Sequence, residues 1–249
     1  MTTSAPPTSA RRQLRVWDIA TRVFHWSLFL LLLACWFSGG EGDLANIHRA
    51  SGMMLAGLIV FRIVWGFAGG EHARFGAFFP SPGKLIAHLR QVAAGKPERH
   101  LGHNPVGAVA VFLLLIAVSV CILTGLFSSG EGLAGPFAEV IGFEMSDLHE
   151  LAFRVLQGLV ALHLLGVVAE SLLAKDALVP AMITGRKSRA EGEPGTDARQ
   201  AGLPALLVAL LLGGVVSAGL WSLPSPAALD GDHREGYDDH DRDRDREDH

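Results

Sequence analysis

The sequence predicts an all-α integral membrane protein: a four-helix transmembrane bundle with a fifth, C-terminal transmembrane helix. Composition is the first reason, because 49% of the 249 residues are hydrophobic and only 18% are charged. The mean hydropathy of +0.32 is too apolar for an ordinary soluble domain. The second reason is the distribution of charge. Long windows hold almost no Lys, Arg, Asp or Glu, while the segments between them are crowded with these residues, the pattern of membrane spans joined by loops. The third is an alternation of basic and acidic loops that gives each span a direction.

The first span, 23–40, is free of charge. It is full length and carries Trp26 and Trp36, unlike the shorter apolar part of a secretory signal, so it is expected to be retained. The second, 47–70, is interrupted only by Arg49 and Arg62; the third covers 106–127; the fourth, 148–173, contains Arg154 and Glu170; the fifth covers 203–223. Arg11, Arg12, Arg15 and Arg22 precede the first span. Arg74, Lys84, Arg90, Lys96 and Arg99 follow the second, and Lys175, Arg186, Lys187, Arg189 and Arg199 follow the fourth. Because cytoplasmic loops retain Lys and Arg, these three segments are expected inside. Segments 38–46 and 128–147 contain neither, only acids such as Glu41, Asp43, Glu131 and Glu144. They are expected outside, and five crossings then leave the acidic C-terminal tail outside too.

Composition also divides the chain. Residues 1–13, rich in Ser, Thr and Pro, read as a disordered arm; 14–187 form the four-span core; 188–200 are a polar linker; 201–223 are the fifth helix; 224–249 are a low-complexity Asp, Arg and His tail that cannot bury a core. The fifth helix reads as an appendage. In the second loop, Leu85, Ile86, Leu89 and Val92 recur at helical spacing after Pro80-Ser81-Pro82-Gly83, which predicts a short amphipathic helix on the cytoplasmic surface. Cys35 and Cys121 fall within spans and read as small buried hydrophobes with no disulfide. There is no C-x-x-C-H, which excludes a covalently attached c-type haem, and no Gly-rich dinucleotide fingerprint. No nucleic-acid partner is expected.

Ionisable side chains inside a membrane are costly and point to function. Four of the eleven histidines lie within spans: His25, His48, His149 and His163. His149 and His163 are 14 residues apart, close to four helical turns, so both project from one face, roughly 21 Å apart along the axis. Running the spans in alternating directions puts His25 at the depth of His163 and His48 at the depth of His149. Two facing imidazoles at each depth are what the iron of a b-type haem requires. Small residues, Gly52 after His48 and Gly158 and Gly166 on the fourth span, would admit the flat ring. Arg62 follows His48 by 14 residues, on the same face at the inner depth, where it would neutralise a haem propionate, pair with Glu170, or snorkel. With both axial positions filled by protein, such iron transfers electrons and binds no substrate. The competing reading of any one histidine is an interhelical hydrogen bond. His72, His88, His100 and His103 read as solvated or surface-helix residues, and the tail histidines as weak metal ligands at most.

The stretches VWDIATRVFHWSLFLLLLACWFSG, IHRASGMMLAGLIVFRIVWGFAG, LGHNPVGA, LHELAFRVLQGLVALHLLGVVAES and AMITGRK, taken in order over about 14–187, resemble the recurring segments of the bacterial cytochrome b561 family. That family is related to the cytochrome b subunits of nickel–iron hydrogenases and formate dehydrogenases. The resemblance implies a four-helix di-haem bundle with two non-covalent, bis-histidine haems b, His25 and His163 on the cytoplasmic side and His48 and His149 on the outer side. It implies a multi-pass protein of the bacterial inner membrane that moves electrons between ubiquinone or another quinone and a partner at the outer face. That partner would be a periplasmic cytochrome c or a dehydrogenase- or hydrogenase-type subunit. A stand-alone quinone-linked oxidoreductase, including one that takes electrons from superoxide, is a variant of this reading. A divalent-metal transporter or a non-catalytic membrane scaffold are the alternatives of other classes.

Overall fold

The computed structural model describes residues 11–40, 42–96, 98–129, 134–138, 140, 145–190 and 193–223. The tail 224–249 and the first ten residues of the predicted arm lie outside them. Five helices are long and apolar enough to cross a membrane: α1 (Ile19–Ser38), α2 (Ala45–Ala68, preceded by a 3-10 turn at Gly42–Leu44), α5 (Pro105–Leu126), α6 (Ser146–Leu173) and α8 (Leu203–Trp221). Between them lie α3 (Phe75–Phe78), the amphipathic α4 (Pro82–Ala93) and α7 (Leu178–Thr184). Each predicted span and the predicted surface helix has its counterpart. The long helices leave Leu151, Leu162, Leu165, Leu207 and Leu211 exposed. In a bilayer these side chains meet acyl chains as apolar as themselves.

The chain forms two compact units, one within Met1–Ser27, Phe61–Leu115 and Gln157–Leu211, the other within Leu28–Val60, Ile116–Leu156 and Leu212–His249. In the first, Asp18 caps α1 by accepting the Thr21 amide at 2.6 Å, the ordinary means of satisfying a free N-terminal N–H. The same carboxylate accepts the Trp65 indole N–H of α2 at 3.3 Å, and Thr21 Oγ1 shares that donor at 3.2 Å. Phe61 stacks on Trp65, with ring centroids 5.8 Å apart.

Two strands correct the reading of the arm and linker. β1 (Arg11–Arg15) pairs antiparallel with β2 (Arg186–Ala190), with Arg11 opposite Ala190 and Arg15 opposite Arg186. Residues 11–13 and 188–190 are therefore ordered ladder, neither disordered arm nor linker. The alternation that organises β2 is ionic: Lys187 and Arg189 point inward, are only 4% and 3% exposed, and close on Asp176 at 2.9 and 3.2 Å. Both also donate to the His100 carbonyl. Burial alone raises the Asp176 carboxyl, and Lys187 and Arg189 more than reverse it, leaving it below the usual range. Burial lowers the Lys187 ammonium, and Asp176 opposes this only in part, since one carboxylate serves Lys187, Arg189 and Arg99.

In the second unit α8 is docked on α2, and the appendage reading gives way. A Cβ at Gly57 would collide with Ser217 Oγ and the Gly213 carbonyl, so small residues on both helices allow backbone-to-backbone approach. Ser217 Oγ donates to the Met53 carbonyl at 3.1 Å, and Arg49 Nη2 donates to the Leu223 carbonyl at 3.0 Å. Gly57→Leu is expected to unseat α8 and cost about 1–3 kcal/mol, the usual range for overpacking. Gly214→Leu, where a Cβ meets nothing within 4 Å, is the neutral control. Thermal unfolding in detergent checks both, and equal midpoints would contradict the docking.

Candidate functional site

The four span histidines divide between the two units in the pairs expected from depth. α2 presents His48 in its first turn and α6 presents His149 in its first turn, and their ring centroids stand 6.1 Å apart with planes at 87°. His48 Nδ1 lies 3.0 Å from the Cys35 carbonyl of α1, and His149 Nδ1 lies 2.9 Å from the Cys121 carbonyl of α5. A carbonyl only accepts, so each Nδ1 carries the hydrogen and each Nε2 keeps its lone pair, the arrangement of a metal-ligating histidine. An imidazole nitrogen coordinates at about 2.0–2.1 Å, so two such rings on opposite sides of one metal have centroids about 6 Å apart. The observed spacing meets that requirement.

The other unit holds His25 of α1 and His163 of α6. His25 Nδ1 is shielded from solvent and has no hydrogen-bond partner. Arg62 of α2 belongs to the same unit. It is 4% exposed, its guanidinium lies 4.7 Å from the Phe75 ring centroid and 5.9 Å from that of Phe24, and its Nη1 has no partner. Phe75 cannot move away easily, since its ring lies against the α2 backbone where a Gly66 side chain would be. The pairing of Arg62 with Glu170 is not formed; Glu170 faces His88 of α4 at 3.9 Å. A buried guanidinium with an idle donor is suited to an anion. Arg154 pairs on the surface with Glu150 one turn away.

Two loop histidines correct the sequence reading. His88 is buried, 3% exposed, and the His103 ring is held against Phe78 and Trp17, with centroids 4.2 and 4.9 Å away and Nδ1 sealed without a partner. Burial holds the His103 imidazole well below its ordinary range, with Arg62 adding to the effect. Loop position alone predicts solvation for both. The signal overlooked was Asn104-Pro105 directly after His103: the Asn104 side chain accepts the Gly107 amide at 2.6 Å and caps α5, fixing the residue before it. Cys35 and Cys121 act here through their carbonyls, which no reading of side chains reveals.

The model of the family described as prokaryotic cytochrome b561 matches residues 16–185. The chain belongs to that family. It is similar to the probable Ni/Fe-hydrogenase B-type cytochrome subunit of Rhizobium leguminosarum bv. viciae, 26% identical over 214 residues that cover 71% of this chain and 90% of the relative. It is also similar to the protein so described from Cupriavidus necator, 25% identical over 212 residues covering 70% and 86%. The probable Ni/Fe-hydrogenase 1 B-type cytochrome subunit of Escherichia coli K12 is 24% identical over 216 residues covering 72% and 92%. No solved structure matches the chain. The cytochrome is a membrane electron-transfer protein, and a b-type cytochrome implies haem b. Its residues fit that group on three counts: the spacing and tautomers of His48 and His149, the idle Arg62 donor, and the open space around Gly52, Gly158 and Gly166, where a Cβ meets nothing within 4 Å.

Proposed function

We propose that the cytochrome holds two haems b and carries electrons between the quinone pool and a redox partner at the outer face of the bacterial inner membrane. The observation that carries this is the His48/His149 pair, two imidazoles 6.1 Å apart with both Nδ1 atoms committed to carbonyls. His48 and His149 would hold the outer haem and His25 and His163 the cytoplasmic one, with Arg62 set against a propionate of the latter. Bound haem supplies one-electron transfer. The histidines would hold it, the apolar side chains of α1, α2, α5 and α6 would exclude water, and Arg62 would neutralise propionate charge.

The basic segments before α1 and on either side of α5 and α6 support a cytoplasmic N-terminus, and five crossings then carry the tail to the periplasm. The likeness to probable B-type cytochrome subunits of Ni/Fe hydrogenases favours a hydrogenase-type catalytic subunit as the outer partner over a soluble cytochrome c. The transporter reading has one acidic candidate, Glu170, which stands 3.9 Å from His88, and the described residues contain no cluster of three metal-ligating side chains. In proteoliposomes, a reduced quinol analogue is expected to reduce the haem within the mixing and turnover time of a stopped-flow experiment. Haem that dithionite reduces but no ubiquinol or menaquinol analogue does would contradict the quinone link.

A further inference from the structure

Two five-residue stretches of the cytochrome share one pattern. Residues 35–39 read Cys-Trp-Phe-Ser-Gly at the end of α1, and residues 121–125 read Cys-Ile-Leu-Thr-Gly near the end of α5. Their contacts repeat as well. The first carbonyl receives a histidine Nδ1 from the next long helix, His48 at 3.0 Å and His149 at 2.9 Å. The hydroxyl three residues on turns back to the preceding turn: Ser38 Oγ donates to Ala34 O at 2.6 Å with Cys35 O at 3.5 Å, and Thr124 Oγ1 reaches Val120 O at 2.9 Å and Cys121 O at 3.0 Å. The closing glycine lies against the carbonyl and the ring. A Cβ at Gly39 would stand 3.2 Å from Cys35 O and 3.5 Å from His48, and one at Gly125 would press on the ring, 2.9 Å from His149 Cε1.

We propose that this repeated Cys-x-x-Ser/Thr-Gly element is a positioning cradle that fixes the tautomer and ring orientation of His48 and His149 and thereby sets the potential of the haem they hold. The proposal rests on the ligand reading given above. A carbonyl that accepts from Nδ1–H makes the imidazole more basic and favours the oxidised metal. The two copies differ in one respect that makes the effect measurable. Ser38 gives its hydrogen to Ala34 O and leaves the Cys35 carbonyl to His48. Thr124 Oγ1 lies at almost equal distance from Val120 O and Cys121 O and 3.3 Å from His149 Nδ1, so its hydrogen, aimed at Cys121 O, weakens that oxygen as an acceptor for His149. Removing that hydroxyl strengthens the His149 bond. The described His25 has no such partner, so its haem is untouched.

The test is spectroelectrochemical titration of the purified holoprotein carrying Thr124→Val, Gly39→Ala or Gly125→Ala, with Gly219→Ala, whose Cβ meets nothing within 4 Å, as control. Thr124→Val is expected to lower the midpoint potential of one haem and leave the other unmoved. Gly125→Ala is expected to lose that same haem, and Gly39→Ala to retain more of it, in the order of the two Cβ distances. Retention of the other haem reports that the bundle is folded. An unmoved potential in Thr124→Val, or full retention of both haems at wild-type potentials in Gly125→Ala, overturns the cradle. If His48→Ala removes a haem while these variants leave it unchanged, only the cradle fails; if His48→Ala retains both haems, the ligand reading itself fails.

Discussion

His48→Ala and His149→Ala are each expected to remove the same haem and to halve the haem bound per chain, while His25→Ala and His163→Ala remove the other. The expectation follows from what each ring can do once its partner is gone. With Nδ1 bound to a carbonyl, each of His48 and His149 offers a single nitrogen to the metal. One imidazole alone leaves an open axial position, and the low-spin spectrum of a bis-histidine haem should give way to a high-spin remnant or to loss of the group. The pairing is the sharp part. If His48→Ala and His163→Ala removed the same haem, the assignment of one pair to each unit would be wrong even though all four histidines were ligands. Optical spectra and pyridine haemochrome quantitation of the four variants decide it.

Asp176→Asn is expected to destabilise the cytochrome by about 3–5 kcal/mol, the usual result of removing one partner from a buried ionic group. The carboxylate is shared by Lys187 and Arg189, both nearly inaccessible to water, and by the half-buried Arg99. An amide keeps the shape and one hydrogen bond but leaves buried Lys187 without its ion-pair partner and Arg189 with only the more exposed Glu193, 3.7 Å away. The loss should appear first where β1 and β2 pair, because the two buried side chains of β2 close on Asp176. Protease cleavage near Arg186 in detergent-solubilised Asp176→Asn, absent from wild type, would report it. Replacing Asp176, Lys187 and Arg189 together by Leu, Met and Met is expected to recover most of the stability, since the desolvation cost disappears with the charges. A stability unchanged by Asp176→Asn would show that the cluster is solvated in the membrane-bound protein.

The membrane helices were legible because their signal is long and redundant. The window 106–127 became α5 at Pro105–Leu126, and 203–223 became α8 at Leu203–Trp221, since some twenty consecutive apolar residues leave few alternatives. α1 starts four residues earlier than its charge-free window, at Ile19, because Asp18 caps it and the Arg22 guanidinium is received by the Ile183 carbonyl. The strands were not legible. A run such as RKSRA has no apolar alternation, and its inward side chains become intelligible only once Asp176 and the His100 carbonyl are in place. The docking of α8 lay in the sequence as Gly57 and the pair Gly213 and Ser217, small residues at the spacing that brings membrane helices together, but no single-chain pattern says which two helices meet. At the candidate site depth and spacing pair His48 with His149, and the structure sets these two rings side by side. The tautomers were not legible, because they depend on the backbone oxygens of Cys35 and Cys121.

The most direct test of the central claim is the haem content of the detergent-purified cytochrome, measured by pyridine haemochrome against protein mass together with a dithionite-reduced minus oxidised spectrum. Two low-spin haems b per chain are expected. One haem, or none when haem supply is ample, would contradict the di-haem account.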